Sequence, residues 1–600
     1  MSNNTQTQDV KESAKDIVWD LKDLFTSLDD PKIPDAIRDS EKKASEFVTK
    51  YKQKLDTLNG AEINQAYQEL EEIWAPLYKV SQFVSLESTL DTSDDKIKAM
   101  VDFVDEVESR VANMTLFFGL EISAFSEDHL TSILQEETTE NYQYSLKRYV
   151  ETARFNLSEK EEQLSNLKDL TGESAFKKLY GELTSSYQFE IEVDGVERTM
   201  NGSELRALRY HKDPKVRRKA MKLFYKQYED DSLVITQIYN SILKSNTVER
   251  DLRGYKSDIS VRNIQNDIDD EVIDVLHDTT RDAAPLVSRY YKIKAKLLDL
   301  PDFSLADIYA PMEESPKKYT WDEAKDLVLQ GFAHFDDEFY SYAKLMFDEN
   351  RIHAPIMPKK RGGAFCSSST PDINPYVMVN FLGKPRDVST LAHELGHAIH
   401  DIYCSKQTLF NYHPILPLAE TASVFSEMLV TDLLLSTQTD KAVKKQILTE
   451  KLEDIFATSH RQNMFSNFER ETHEKIGKNR LSTQELCTIY QEQLKLMFQD
   501  SVVYPDEYKW EWSAIPHIFE APFYVYAYNF GNLLVIALYQ QYKEEGPSFV
   551  PKLKAMLSEG SSCSPREITE LAGIDISKPD FWKKSFVYIE GLVTQLESLI

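Results

Sequence analysis

Apolar residues recur at three- and four-residue intervals between charged positions over most of the chain, the spacing of helices that bury one face. "DDKIKAMVDFVDEVESRVANM" (residues 94–114) and "VRRKAMKLFYKQYEDDSLVITQIYNSILKS" (residues 216–245) both follow it. Two stretches break the pattern. "FEIEVDGVERTM", Phe189 to Met200, reads as two short extended runs around Asp194-Gly195, a strong hairpin signal. "NPYVMVNFLG", Asn374 to Gly383, alternates Val377, Val379 and Phe381 with Met378 and Asn380, as an edge strand does. Asp387 or Ser389 can cap the helix that follows, and helical spacing then resumes. The predicted fold class is mostly α, with a small β-sheet beside this helix and a hairpin near residues 189–200. The predicted organisation is a polar tail at 1–15, an N-terminal helical region at 16–188 and a remainder at 189–600 that holds the chemistry.

Charge narrows the partners. With 70 basic against 99 acidic residues the formal net charge is -29, which disfavours nucleic acid and anionic membrane surfaces. Cys366, Cys404, Cys487 and Cys563 lie far apart without CxxC spacing, so reduced thiols are expected rather than a disulfide framework. The polar start "MSNNTQTQDVKESAKD" has no apolar signal-peptide core, and a cytoplasmic location is expected. From Ala521 to Tyr542 no residue is charged, but Pro522, Asn529, Gly531 and Asn532 interrupt the stretch. A buried helix, not a membrane span, is the expectation there.

The candidate chemistry lies in "LAHELGHAIH", Leu391 to His400. On a helix, His393 and His397 differ by roughly 40° in phase and can grip one ion. Glu394 is about 100° around from His393, poorly placed as a ligand and well placed to act on a water at the open coordination position. H-E-x-x-H thus reads as two zinc ligands and a general base. A catalytic zinc takes a third protein ligand. The metzincin spacing would need glycine and histidine where the chain has His400 and Tyr403. His400 shares the phase of His393 but stands about 10.5 Å further along the axis, too far for direct ligation without strain. It suits a supporting or packing role.

"LPLAETASVFSEMLVTDLLL" offers an alternative in Glu420, which opens a predicted amphipathic helix. Glu427, seven residues on, falls on nearly the same face. Two carboxylates among Ala, Val, Phe, Met and Leu are costly to bury alone, and a metal with its histidines would compensate them. A partly solvated acidic stripe is the competing account. The predicted ligands of one Zn2+ per chain are His393, His397 and Glu420, with Glu427 orienting a ligand histidine.

"HELGHAIH" followed by "ETASVFSE" resembles the M3 metallopeptidase family, the thimet oligopeptidase relatives, and within it the bacterial oligoendopeptidase F group. "VWDLKDLF" near the start, "RDLRGYKS" (Arg250–Ser257), "RGGAFC" (Arg361–Cys366) and "IPHIFEAPFYVYAYNFG" extend the likeness over nearly the whole chain. His393, His397 and Glu420 match the family's zinc ligands, and Glu394 its base. The resemblance implies a helical body with a deep channel that admits short unfolded peptides. It also implies that a histidine and tyrosines near the C-terminus bind substrate and stabilise the transition state. His517 matches. Tyr524, Tyr526 and Tyr528 are the candidate hydroxyls, but their spacing departs from the thimet oligopeptidase pattern; Tyr524 and Tyr528 would share a face if that segment is helical.

Taken alone, His517 reads more readily as a structural histidine, and these tyrosines as core. The Gly-Gly of "KKRGGAFCSSS" reads as a tight turn rather than a phosphate loop. Val377 to Phe381 are expected to pair with a substrate main chain by strand addition. The expected activity is zinc-dependent hydrolysis of internal bonds in short peptides. A dipeptidyl carboxypeptidase-like exopeptidase and a non-catalytic peptide-binding protein are the alternatives.

Overall fold

The computed structural model describes residues 12–312 and 317–600. Most of the expected tail lies outside them; of its end, Ala14 is buried and Ser13 Oγ accepts from the Trp321 amide. The elements that matter below are, in chain order, helix α1 (Gly60–Leu90), strands β1 (Gln188–Val193) and β2 (Val196–Asn201), and helix α2 (Asp258–Gln265). Strands β3 (Ile352–His353), β4 (Phe365–Ser367) and β5 (Tyr376–Met378) follow, then helices α3 (Pro385–Cys404), α4 (Thr421–Thr437), α5 (His460–Ile476) and α6 (Tyr526–Glu545). Most of the remaining described chain is also helical, as the three- and four-residue spacing predicts. No helix among the described residues is long and apolar enough to cross a membrane.

The chain forms two compact units, each assembled from three separate stretches. One takes residues up to Arg154, Pro316–Gln438 and Gln541–Asp575; the other takes Phe155–Ser315, Thr439–Gln540 and Ile576–Ile600. Residues 16–188 and 189–600 therefore each contribute to both.

In the first unit, N-terminal helices close a core that includes Ile63, Leu70, Leu77 and Phe83 of α1 and reaches Tyr376 and Met378 of β5. Its sheet has the order β3-β5-β4, with β5 parallel to β3 and antiparallel to β4. The expectation of an edge strand is thus corrected at Val377 and Met378: β5, which ends at Met378, is the middle strand. The amides of Val377, Val379 and Phe381 donate to Arg351, His353 and Ala354 carbonyls at 2.9, 3.0 and 3.2 Å. The turn before β4 contains Gly363 at φ +84°, a left-handed conformation that glycine adopts without strain.

In the second unit the hairpin forms where predicted. Asp194 and Gly195 both have positive φ, at 51° and 79°, as a two-residue turn matched to strand twist requires. Phe189, Ile191 and Val193 point inward while their neighbours are exposed. The long run at 216–245 divides into two helices, Pro214–Asp230 and Ser232–Arg253, at Asp231, which has left helical geometry (φ -94°, ψ 10°). Cys366, Cys404, Cys487 and Cys563 are all free.

Candidate metal centre

Helix α3 begins earlier than Asp387 or Ser389. Pro385 occupies its first turn, and Asp387 serves one turn inside, accepting from the amides of Leu382 (2.7 Å) and Lys384 (3.1 Å). This carboxylate satisfies donors that a helix start leaves open. The helix then carries His393, Glu394 and His397, followed by α4, whose N-cap residue is Glu420. α4 is buried almost all round rather than amphipathic; Glu427 and Asp432 are its half-buried interruptions before the last turn.

The two helices approach closely at Gly396. A Cβ there would stand 2.6 Å from both the Ala422 carbonyl oxygen and the Ser423 Cα. Only hydrogen at this position leaves room for the neighbouring backbone, and that approach brings Glu420 beside the histidines. Composition alone hides this role, because glycine inside a helix ordinarily reads as a small stability loss.

His393 Nε2, His397 Nε2 and Glu420 Oε2 converge. The two nitrogens are 3.2 Å apart, and each lies 3.4 Å from the carboxylate oxygen. Among the described residues this is the one trio of His, Cys, Asp or Glu side chains that could hold a metal ion. Donors about 2.1 Å from a shared tetrahedral ion stand roughly 3.4 Å from each other, so the spacing fits a zinc site. His393 Nδ1 lies 2.6 Å from Glu427 Oε1, which places its N–H on that carboxylate and leaves the Nε2 lone pair free to ligate. Ser423 Oγ donates to Glu420 Oε2 at 2.6 Å and fixes the carboxylate from the other side. The sequence signal for Ser423 is its place in the first turn of α4, three residues after Glu420.

Electrostatics concentrate here. Burial opposes charge on His393, but Glu427, Glu420 and Glu394 outweigh it and raise its pKa to about 9. Burial likewise opposes ionisation of Glu420, yet the two histidines and Ser423 draw it down to about 2. Glu394 is nearly enclosed, and burial pushes its pKa up against the pull of His393 and His397. His400 does not join the trio. Its ring is buried, its Nδ1 has no hydrogen-bond partner, and burial lowers its pKa to about 3.

The strand candidates divide. Val377, Met378, Val379 and Phe381 are buried, and the Asn380 side-chain Nδ2 donates to the Arg361 and Gly363 carbonyls at 3.0 and 2.8 Å. At Val377 and Met378 the ladder is taken by β3 on one side and β4 on the other, so strand addition is not available there. β4 is one of the two outer strands. Because Tyr376 and Met378 face β4, Phe365 and Ser367 point toward β5 and Cys366 presents its main chain outward.

In the second unit, His517 lies on a short helix, Pro516–Glu520, and Tyr524 on the turn before α6. Tyr524 and Tyr528 do not share a helix face, since α6 starts at Tyr526, but their rings meet edge to face at 5.4 Å. The His517 ring lies 6.1 Å from Tyr524 and 6.2 Å from Tyr528. Tyr526 is excluded from this cluster. It is fully buried, its hydroxyl accepts from Asn266 at 2.9 Å, and burial raises its pKa. Its assignment as a catalytic residue is withdrawn: the side chain is a core member.

A model described as Peptidase family M3 matches residues 207–330 and 351–588. The chain belongs to peptidase family M3. A second model, described as Oligopeptidase F, matches residues 121–189. Among relatives of this M3 chain, Oligopeptidase PepF of Bacillus subtilis (strain 168) is 28% identical over 99% of the chain and 89% of its own length. The Oligoendopeptidase F homolog of Borreliella burgdorferi is 26% identical, covering 93% and 94%. The crystal structure of oligoendopeptidase-F from Enterococcus faecium superposes with a TM-score of 0.69 at 22% identity, covering 95% of this chain and 97% of that one. A solved Chlamydophila abortus chain reaches 0.87 at 23% identity, covering 97% and 98%. This M3 chain is a peptidase with the mostly helical fold of these neighbours.

Proposed function

We propose that the chain is a zinc endopeptidase acting on short peptides. The observation that carries this reading is the convergence of His393, His397 and Glu420, with Glu394 next to the first ligand, in a member of a peptidase family. The names of the relatives, Oligopeptidase PepF and Oligoendopeptidase F, support short peptides as the substrate class. His393, His397 and Glu420 would hold the zinc, which when bound supplies a Lewis acid for the water and the scissile carbonyl.

Glu394 removes a proton from the attacking water as its oxygen bonds to the carbonyl carbon. It returns that proton to the amine nitrogen as the C–N bond breaks. A carboxyl whose pKa is raised by burial suits both halves of this transfer, because it binds the proton and gives it up at moderate cost. Glu427 fixes the tautomer and orientation of His393. The main chain at Cys366 on the outer strand β4 is the proposed partner of the substrate backbone, in place of residues 377–381. His517, Tyr524 and Tyr528 are the proposed donors to the developing oxyanion.

The test joins metal and cleavage. Hydrolysis of a peptide blocked at both ends is expected to stop with a chelator, return with zinc and yield internal fragments. Release of dipeptides from free C-termini alone would favour the exopeptidase alternative. Binding without hydrolysis in zinc-loaded protein would favour the peptide-binding one.

A further inference from the structure

The turn that carries Tyr524 is held in an unusual way. Phe523 is a buried, non-glycine residue at φ +57°, a left-handed conformation that is uncommon for bulky side chains. The peptide unit joining Pro522 to Phe523 is gripped at both ends. Arg262 Nε, on α2, donates to the Pro522 carbonyl at 3.3 Å. Glu469 Oε1, on α5, accepts from the Phe523 amide at 2.7 Å. One turn along α5, the His473 ring lies 4.6 Å from the Phe523 ring. Tyr524 follows directly, its amide donating to the Ala521 carbonyl at 3.1 Å.

Glu469 is 1% exposed, and its Oε2 has no partner. A carboxyl buried in this way is expensive unless something needs it. What it does in the structure is accept from the amide of the strained residue. Burial pushes its pKa up to about 8, so at neutral pH it acts chiefly as a neutral acceptor, a task an amide oxygen also performs.

We propose that Glu469 and Arg262 are positioning residues that clamp the 522–523 peptide unit and thereby set Tyr524 against His517 and Tyr528. The proposal rests on the reading that this aromatic cluster serves the transition state.

The experiment uses zinc-loaded, full-length protein and a peptide blocked at both ends. Glu469→Leu keeps the volume apolar and removes the acceptor. It is expected to lower kcat roughly 10- to 100-fold, the cost of misplacing a catalytic group by about 1 Å, while KM and zinc content hold. Glu469→Gln retains an acceptor oxygen and is expected to restore most of the turnover. In a Tyr524→Phe background, Glu469→Leu is expected to add little further loss. The clamp is overturned if Glu469→Leu turns over normally, if Glu469→Gln is as impaired as Glu469→Leu, or if the losses with Tyr524→Phe multiply in full.

Should Tyr524→Phe itself be fully active, the role of Tyr524 fails separately. The clamp is then decided by the crystal structure of Glu469→Leu: a displaced Phe523–Tyr524 turn upholds it and an unmoved turn ends it. If Glu469→Leu does not fold, Arg262→Met, which loosens the carbonyl end, is expected to lower kcat in the same direction. An unchanged kcat there also overturns the clamp.

Discussion

The candidate chemistry is held in two contrasting ways. At the metal centre, ligands sit on two long helices whose backbones nearly touch at Gly396, and helical phase fixes the histidines relative to each other. At the aromatic cluster, Tyr524 rides on a turn whose left-handed Phe523 depends on side chains from two other helices. The first arrangement is regular secondary structure used as a ruler. The second is irregular backbone held in place by tertiary contacts. A change at the first should therefore alter a ligand or a proton transfer and leave the scaffold intact. A change at the second should disturb geometry.

The largest expected effect is Glu394→Gln. With its scaffold on α3 undisturbed, turnover should fall about 10²- to 10⁴-fold while zinc stays at one per chain, read by metal analysis beside steady-state kinetics. Normal turnover would sink the base assignment. Next comes Glu427→Ala, which removes the partner of His393 Nδ1 but no ligand. Zinc affinity, measured by chelator competition, should drop roughly 10- to 100-fold. An unchanged affinity would mean that helix geometry alone orients the ring.

A pair of phenylalanine substitutions sharpens the other side. Tyr524→Phe should lower kcat by roughly 10-fold or more if its hydroxyl meets developing charge. Tyr526→Phe should leave kcat alone and cost about 1 kcal/mol in denaturant unfolding, since it breaks the buried bond from Asn266. Equal kinetic effects would erase the distinction drawn between the two. The last expected effect is a slope in stability against pH. Burial raises Glu469 from its ordinary 4.5 to about 8, so the folded state holds a proton more tightly than the unfolded chain. That stabilisation is complete below about pH 4.5 and is lost as pH rises through 8. Wild-type stability in denaturant should decline over this window relative to Glu469→Gln, and parallel pH profiles would refute a buried, proton-binding Glu469.

What could be read from the sequence follows the same division. His393, His397, Glu420 and Glu427 were legible because residues on a helix have known phases, and carboxylates on an apolar face demand compensation. The Asp194-Gly195 hairpin was legible because few dipeptides accept two positive φ angles. Strand order was not. The alternation at 377–381 shows an extended segment but not which neighbours pair with it, and β4 reaches β5 from outside that window. Nor could spacing separate Tyr526 from Tyr524, because the start of α6 falls between them and turns one inward. Phe523 carried no local sign of its conformation, since the residues that hold it lie at 262 and 469.

Gly396 shows what the two unspecified letters of H-E-x-x-H leave unsaid. Leu395 fills the core, and position 396 must be empty. The location of the third ligand is thus written partly as a missing atom. A library of substitutions at 396 should sort by size into chains that still fold but lose their ion, a class of loss-of-function variant that sits outside every ligand and would be missed by any search for altered ligands.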